Sequence, residues 1–336
     1  MAEGDKVAAR RTVRVEDVAR EAGVSPITVS RTLSHPERVR EDTRKRVEAA
    51  VARTGYVVNR FASSLRSGHS TIISAFVSNL SNPHFANAIQ GCSDALEGSR
   101  YHLLMAQTGY SDQLQQDVLE EVLPFRPAAM LFTGIVQSEA VRAQLRDMDV
   151  PVMEMWDYRP DPIDMLVGFS NADGGRLLGA HFSARGFRRV AYVGRTQDRG
   201  AQRLAGFAAG LGRPPELVLP LEGTRSTQDG MAALETVLGR LPDCDAILFS
   251  TDLLAIGAIL MARRLGIGVP GQVAIAGYGD LDFASQLSPS LTSVHVSGYQ
   301  MGRAAGEMLL RRLRQEPIGE RIITAPIHLE VRDSTS

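Results

Sequence analysis

The chain has 336 residues, 44% hydrophobic and 22% charged, enough to fill one small and one large core, which excludes fibrous, low-complexity and largely disordered architectures. Its net charge of −1 hides a division: residues 1–69 hold 14 Lys and Arg against 9 Asp and Glu, and the remainder 23 against 29. A basic head on an acidic body points to a polyanion as the head's partner.

Met1 to Thr12 carries charge and no apolar leader core, and no later stretch approaches the roughly 18 apolar residues of a spanning helix. A cytoplasmic protein with no membrane partner is therefore expected. Val15, Val18, Ala19 and Ala22 then follow the one-sided spacing of a short amphipathic helix, stopped by Gly23. Ser25-Pro26 reads as an N-cap with proline in the first helical position, opening a second helix through Ile27, Thr28, Val29, Ser30, Arg31 and Leu33. Two short helices across a tight turn make a helix-turn-helix, and a third, from about Thr43 to Thr54, closes a small core with Val47, Ala50 and Val51.

In that motif the start of the second helix enters the major groove of double-stranded DNA, so Pro26, Ile27 and Arg31 meet base edges, with Arg31 suited to guanine O6 and N7. Ser25, Thr28, Ser30 and Asn59 suit phosphates, which position without reading sequence. The head is expected over residues 1–58, followed by a hinge over 59–70. Within the hinge Ala62 and Leu65 lie on a short potential helix, and Leu65 can act as an apolar wedge between base steps of the minor groove.

From Thr71 onward apolar strands alternate with helical stretches, first from Ile72–Val77 to Val152-Met153, then from Ala172–Ala184 to Val273–Ala276. Repeated strand and helix means parallel sheets, here in two similar lobes facing each other across a cleft. Ligands in such sheets sit beyond the carboxyl ends of the strands. The loops there offer Asn79, Phe85, Trp156, Asp157, Asn171, Arg199, Arg203, Thr251, Asp252 and Asp280. Carboxylates and guanidinium groups hold hydroxyl pairs, and Trp156, the only tryptophan, can cover the carbon face of a polyol. No GxSxG, HExxH or GxxxxGK[ST] occurs, and Cys92 and Cys244 stand apart from any metal-binding pattern. A binding protein without cofactor is expected, not an enzyme.

The strings Val15-Glu-Asp-Val-Ala-Arg-Glu-Ala-Gly-Val-Ser25, Thr28-Val-Ser-Arg31, Gly55-Tyr-Val-Val-Asn59 and Ala62-Ser-Ser-Leu65 resemble the lactose-repressor and galactose-repressor family. The resemblance continues through Arg203-Leu-Ala-Gly-Phe207, Asp252-Leu-Leu-Ala-Ile-Gly257 and Gly277-Tyr278, and covers the chain from about Val13 to Asp333. It implies a small all-α helix-turn-helix head on an α/β two-lobed, periplasmic-binding-protein-like body with parallel sheets. Lobe 1 would take about residues 71–167 and 298–326, and lobe 2 about 169–294 and 327–336. It further implies a homodimer on a pseudo-palindromic operator, paired hinge helices that insert Leu65, and effector contact by Phe85, Arg203 and Asp252. Trp156-Asp157 and Val167-Gly-Phe-Ser-Asn171 look most similar to the branch that controls gluconate use. Gly279 stands where many members carry an aspartate that grips ligand hydroxyls. Its lack of a carboxylate, with Arg199 and Arg203 nearby, favours a sugar acid over a neutral sugar as effector.

Overall fold

A computed structural model describes residues 13–57, 70–221 and 226–336, and the chain divides into two units, residues 1–69 and 70–336. Asn59, Ala62 and Leu65 lie outside the described residues.

In the head, α1 (Val15–Ala22), α2 (Pro26–Ser34) and α3 (Glu41–Thr54) enclose Val18, Ala19, Ala22, Val29, Val47 and Ala50. Gly23 ends α1 in the left-handed conformation, φ +65°, and donates its N–H to the carbonyls of Ala19 and Arg20. Ser25 caps α2 by accepting the Thr28 N–H at 3.1 Å. α3 starts at Glu41, two residues before the expected Thr43. Glu41 and Asp42 extend it because carboxylates are favoured in the first turn, facing the positive end of the helix dipole.

The body contains two six-stranded sheets among the described residues. The first runs β11-β5-β4-β3-β1-β2, formed by β1 (Ile72–Val77), β2 (His102–Gln107), β3 (Ala129–Phe132), β4 (Val152–Met155), β5 (Met165–Gly168) and β11 (Ile322–Thr324), all parallel. The second runs β12-β10-β9-β8-β6-β7. It comprises β6 (Val190–Gly194), β7 (Leu217–Pro220), β8 (Ala246–Phe249), β9 (Ala274–Gly279), β10 (Thr292–His295) and β12 (His328–Glu330), with β12 alone antiparallel. The central strands β3 and β8 are buried along their whole length, as parallel strands covered by helices on both faces must be.

The covering helices are α4 (Pro83–Leu96), α5 (Asp112–Val122), α6 (Glu139–Asp147), α7 (Asn171–Ala184), α8 (Asp198–Leu211), α9 (Thr227–Arg240), α10 (Asp252–Leu265) and α11 (Gly298–Leu313). The chain leaves the first sheet after β5, returns after β10, where α11 packs on α4, and leaves again between β11 and β12. Gly175 fixes how closely α7 and α8 approach. A Cβ there would sit 2.1 Å from the Arg203 carbonyl oxygen, so only glycine lets the two helix backbones touch. That contact sets the height of Arg203 above the second sheet.

Candidate effector site and DNA-reading helix

Between the lobes lies a cavity of about 90 Å³, several times what one water needs. Phe85, Trp156, Phe169 and Tyr278 give it aromatic walls, and Arg195, Arg199 and Arg203 line one side. The sequence placed Arg199 in a loop. It stands instead in the first turn of α8, one turn before Arg203, because that helix begins at Asp198.

Arg203 is held on three sides. Its Nε donates to Asn171 Oδ1 at 2.8 Å, its Nη1 to the Ser250 carbonyl at 2.7 Å, and its guanidinium carbon lies 3.9 Å from the Tyr278 ring centroid. Arg199 reaches across the cleft, donating to the Thr133 carbonyl at 3.3 Å and lying 5.4 Å from the Phe85 ring centroid. Among the described residues neither arginine has an ion-pair partner. Burial, with some help from the charge of Arg203, holds the Arg199 guanidinium below its ordinary value, while Tyr110, Asp157 and Asp198 act the other way.

Trp156 adopts φ +71°, a conformation few non-glycine residues take. Asn171 supports it by donating from Nδ2 to the Trp156 carbonyl at 3.0 Å, so one side chain positions both Trp156 and Arg203. The indole meets the Phe85 ring edge-on at 5.2 Å and that of Phe169 at 6.1 Å. Phe85 is at once core and cavity wall, 3% exposed.

The three carboxylates expected at the ligand are placed differently from one another. Asp252 borders the cavity, but its Oδ1 accepts from the Ser293 hydroxyl at 2.6 Å and its Oδ2 from the Leu281 N–H at 2.7 Å, so it ties α10 to the segment after β9. Burial pushes its carboxyl up to about 6, against those two bonds. Asp157 lines an adjoining cavity with Arg195 and Arg199. It is buried and accepts from the Tyr158 N–H, Asn171 and Gln202. Asp280 lines neither; it faces a further cavity and is engaged by Arg332 at 2.6 Å and His295 at 2.8 Å. Its backbone takes φ +60°, a conformation few non-glycine residues adopt.

The sequence reading missed His84, Tyr110 and Tyr278. His84 was discoverable from the cap, since Asn82 accepts the His84 N–H at 3.0 Å and so puts His84 beside Phe85 in the first turn of α4. Tyr278 lies at the end of β9, but nothing in its sequence neighbourhood marks the ring as a platform for an arginine on another helix.

On α2, Ile27 is 71% exposed and Pro26 and Arg31 are also exposed. Ser25 is occupied in part by capping, its hydroxyl also 2.9 Å from that of Thr28, while Thr28 and Ser30 are half-buried. The head's own core uses neither the Ile27 nor the Arg31 side chain.

A three-helix head with a helix-turn-helix, followed by a two-lobed body around a polar and aromatic cleft, defines a DNA-binding regulator with a small-molecule sensor. Residues 14–59 match the family of bacterial regulatory proteins called lacI, and residues 180–335 match the periplasmic binding protein-like domain. The chain is 31% identical over 326 residues to the HTH-type transcriptional regulator GntR of Pseudomonas aeruginosa, covering 96% of this chain and 95% of that protein. It is similar in structure to a LacI-family transcriptional regulator from Silicibacter pomeroyi, with TM-score 0.88, 30% identity, and coverage of 96% of this chain and 99% of the other. It is also similar to the lac repressor dimer bound to operator and the anti-inducer ONPF, with TM-score 0.76, 25% identity and coverage of 97% and 99%. The protein belongs to the lacI family of transcriptional regulators, as its sequence strings indicated. No helix among the described residues is long and apolar enough to cross a membrane.

Proposed function

We propose that this protein is a cytoplasmic repressor of genes for the use of a sugar acid of the gluconate type, released from its operator when that acid enters the cleft. The observation that carries the effector class is the pair Arg199 and Arg203. Two guanidinium groups one turn apart, without a carboxylate partner among the described residues, cost desolvation and mutual repulsion, and a ligand carboxylate offsets both. Trp156, Phe85 and Tyr278 supply rings for the carbon chain, and Asn79 and Thr251 line the same cavity as hydroxyl partners. Asp157, Asp252 and Asp280 act behind this site, holding the segments that shape it.

On DNA, Pro26, Ile27 and Arg31 read base edges of each half-site, Ser25, Thr28, Ser30 and Asn59 hold phosphates, and Ala62 and Leu65 belong to the hinge that enters the minor groove. The dimer required for a pseudo-palindromic operator is supported by the edge strand β2, where Leu104 and Met105 are 43% and 53% exposed. Lobe closure on the effector separates the paired hinges. A coupling of roughly 1–3 kcal/mol changes operator affinity about 5- to 150-fold.

Thermal unfolding against gluconate, related sugar acids, neutral hexoses and purines tests the effector. Sugar acids alone should stabilise the protein, by about 2.7 kcal/mol at a hundred times Kd. A shift with neutral sugars or purines alone would keep the regulator and overturn this effector. Fluorescence anisotropy with operator DNA tests the sign, since a sugar acid that tightened operator binding would reverse the proposed release. Leu65→Ala should weaken specific binding more than non-specific binding; equal loss in both would remove the wedge role.

A further inference from the structure

Gly279 and His84 come from opposite lobes and occupy one space. Gly279 has φ +130°, and a Cβ on it would lie 2.0 Å from His84 Nε2, so any side chain at 279 would expel the imidazole. The glycine is therefore a socket for the histidine. His84 Nε2 is buried without a hydrogen-bond partner, and so are Trp156 Nε1 and Thr251 Oγ1. All three residues line the same cavity, and the His84 and Trp156 rings stand edge to face at 6.1 Å.

Buried polar atoms rarely remain unpaired, because each then loses water without replacement. Three around one cavity describe the ligand's complement: oxygen atoms, at least one of them able to accept from an indole N–H. The arginines lie among the other lining residues and answer a carboxylate. Burial, with the charge of Arg203 adding to it, pushes the His84 imidazole down to about 4, so it stays uncharged at neutral pH. An uncharged imidazole pairs with a hydroxyl, which can donate or accept to match either tautomer.

We infer that His84, seated in the socket left by Gly279, is the specificity residue of the cleft and reads one ligand hydroxyl, while Trp156 donates to a neighbouring ligand oxygen. This rests on a hydroxylated ligand in the proposed effector site; the nature of its acid group is not used. Among acids that fit the arginines, those with hydroxyls along the chain bind, and an unsubstituted aliphatic acid of equal length does not.

Trp156, the only tryptophan, is the reporter. Its fluorescence is titrated with gluconate, single-deoxy analogues of gluconate, hexanoate and glucose in the full chain and in His84→Ala and His84→Gln, each checked for a cooperative thermal transition. The protein should bind gluconate and not hexanoate. His84→Ala should weaken gluconate about tenfold or more, and one deoxy analogue should bind the parent and His84→Ala alike, since the partner atom is already gone. His84→Gln, which keeps a polar amide, should recover part of the loss. Equal losses for every analogue in His84→Ala, or no loss, would overturn the role of His84. If glucose binds and gluconate does not, the sugar-acid reading fails, and the same cycle run with deoxyglucoses still decides on His84. Failure of every polyol to bind would overturn both.

Discussion

The Arg203 guanidinium lies 3.9 Å from the Tyr278 ring centroid while its Nε and Nη1 are committed to Asn171 and the Ser250 carbonyl. A planar fork stacked on a ring and bonded at two edges is what lysine cannot imitate. Arg203→Lys should weaken sugar-acid binding by about tenfold or more and destabilise the free protein by roughly 1–3 kcal/mol, because Asn171 and Ser250 lose their donor. Isothermal titration and thermal melts measure the two effects. Unchanged affinity would remove Arg203 from the site.

Arg199 presents the opposite balance. It is half-buried, makes one backbone contact to Thr133, and has no ion pair among the described residues, so its charge is a cost in the free protein. Arg199→Gln should leave the unliganded melting temperature equal or raise it, while abolishing most of the stabilisation by sugar acids. A variant that melts lower and still responds would show that Arg199 serves the fold and not the ligand.

The difference between these two arginines also shows what the sequence could reveal. Strand and helix alternation gave the parallel sheets, since Ala129–Phe132 and Ala246–Phe249 are apolar throughout and so must be covered on both faces. It did not give the start of α8, because Asp198-Arg-Gly-Ala-Gln interrupts the apolar spacing and reads as loop. β5 also went unlisted as a strand, although Met165–Gly168 is as apolar and as buried as β3 and β8. Site residues on strand ends, such as Trp156 and Asp252, were legible as positions. Where their polar atoms point was not. The turning of Asp252 to Ser293 and Leu281, and of Asp280 to Arg332 and His295, depends on partners 15 to 52 residues away. The pairing of His84 with Gly279 likewise joins two lobes, and neither residue's neighbours in the chain announce it.

Arg31 lies exposed on α2, one turn after exposed Ile27. Arg31→Ala should cost about 1–3 kcal/mol in operator binding and relax selectivity at one base pair per half-site, with little change in affinity for random duplex. Anisotropy titrations on operator and scrambled DNA at fixed salt compare the two. An equal drop on both would make Arg31 a phosphate contact.

The exposed Leu104 and Met105 of β2 sit on the sheet's outer strand, where backbone groups and apolar side chains together invite a second copy. Leu104→Lys with Met105→Lys should shift the protein from dimer to monomer in analytical ultracentrifugation and weaken operator binding by about a hundredfold or more, as each head then binds alone. Retention of the dimer would move the interface elsewhere on the body.

His84 and Asp252 make opposite contributions to stability as pH changes. The imidazole is pushed down to about 4 from its ordinary 6.5, chiefly by burial, so the unfolded chain gains a proton first as pH falls. Its contribution is complete above pH 6.5 and is lost as pH drops through about 4. The Asp252 carboxyl is raised to about 6 from 3.8, again by burial, so the folded chain keeps its proton longer as pH rises. That contribution is complete below pH 3.8 and is lost as pH climbs through about 6. Between pH 4 and 6 the two slopes oppose. His84→Gln should remove the first and become more stable relative to the parent as pH falls from 6.5 to 4, by on the order of 2 kcal/mol. Asp252→Asn should show the reverse trend over the same range. Urea unfolding of the three proteins at matched pH values cancels every other titrating group in the difference, and a pH-independent difference for His84→Gln would show that the imidazole is protonated in the folded protein as readily as in water.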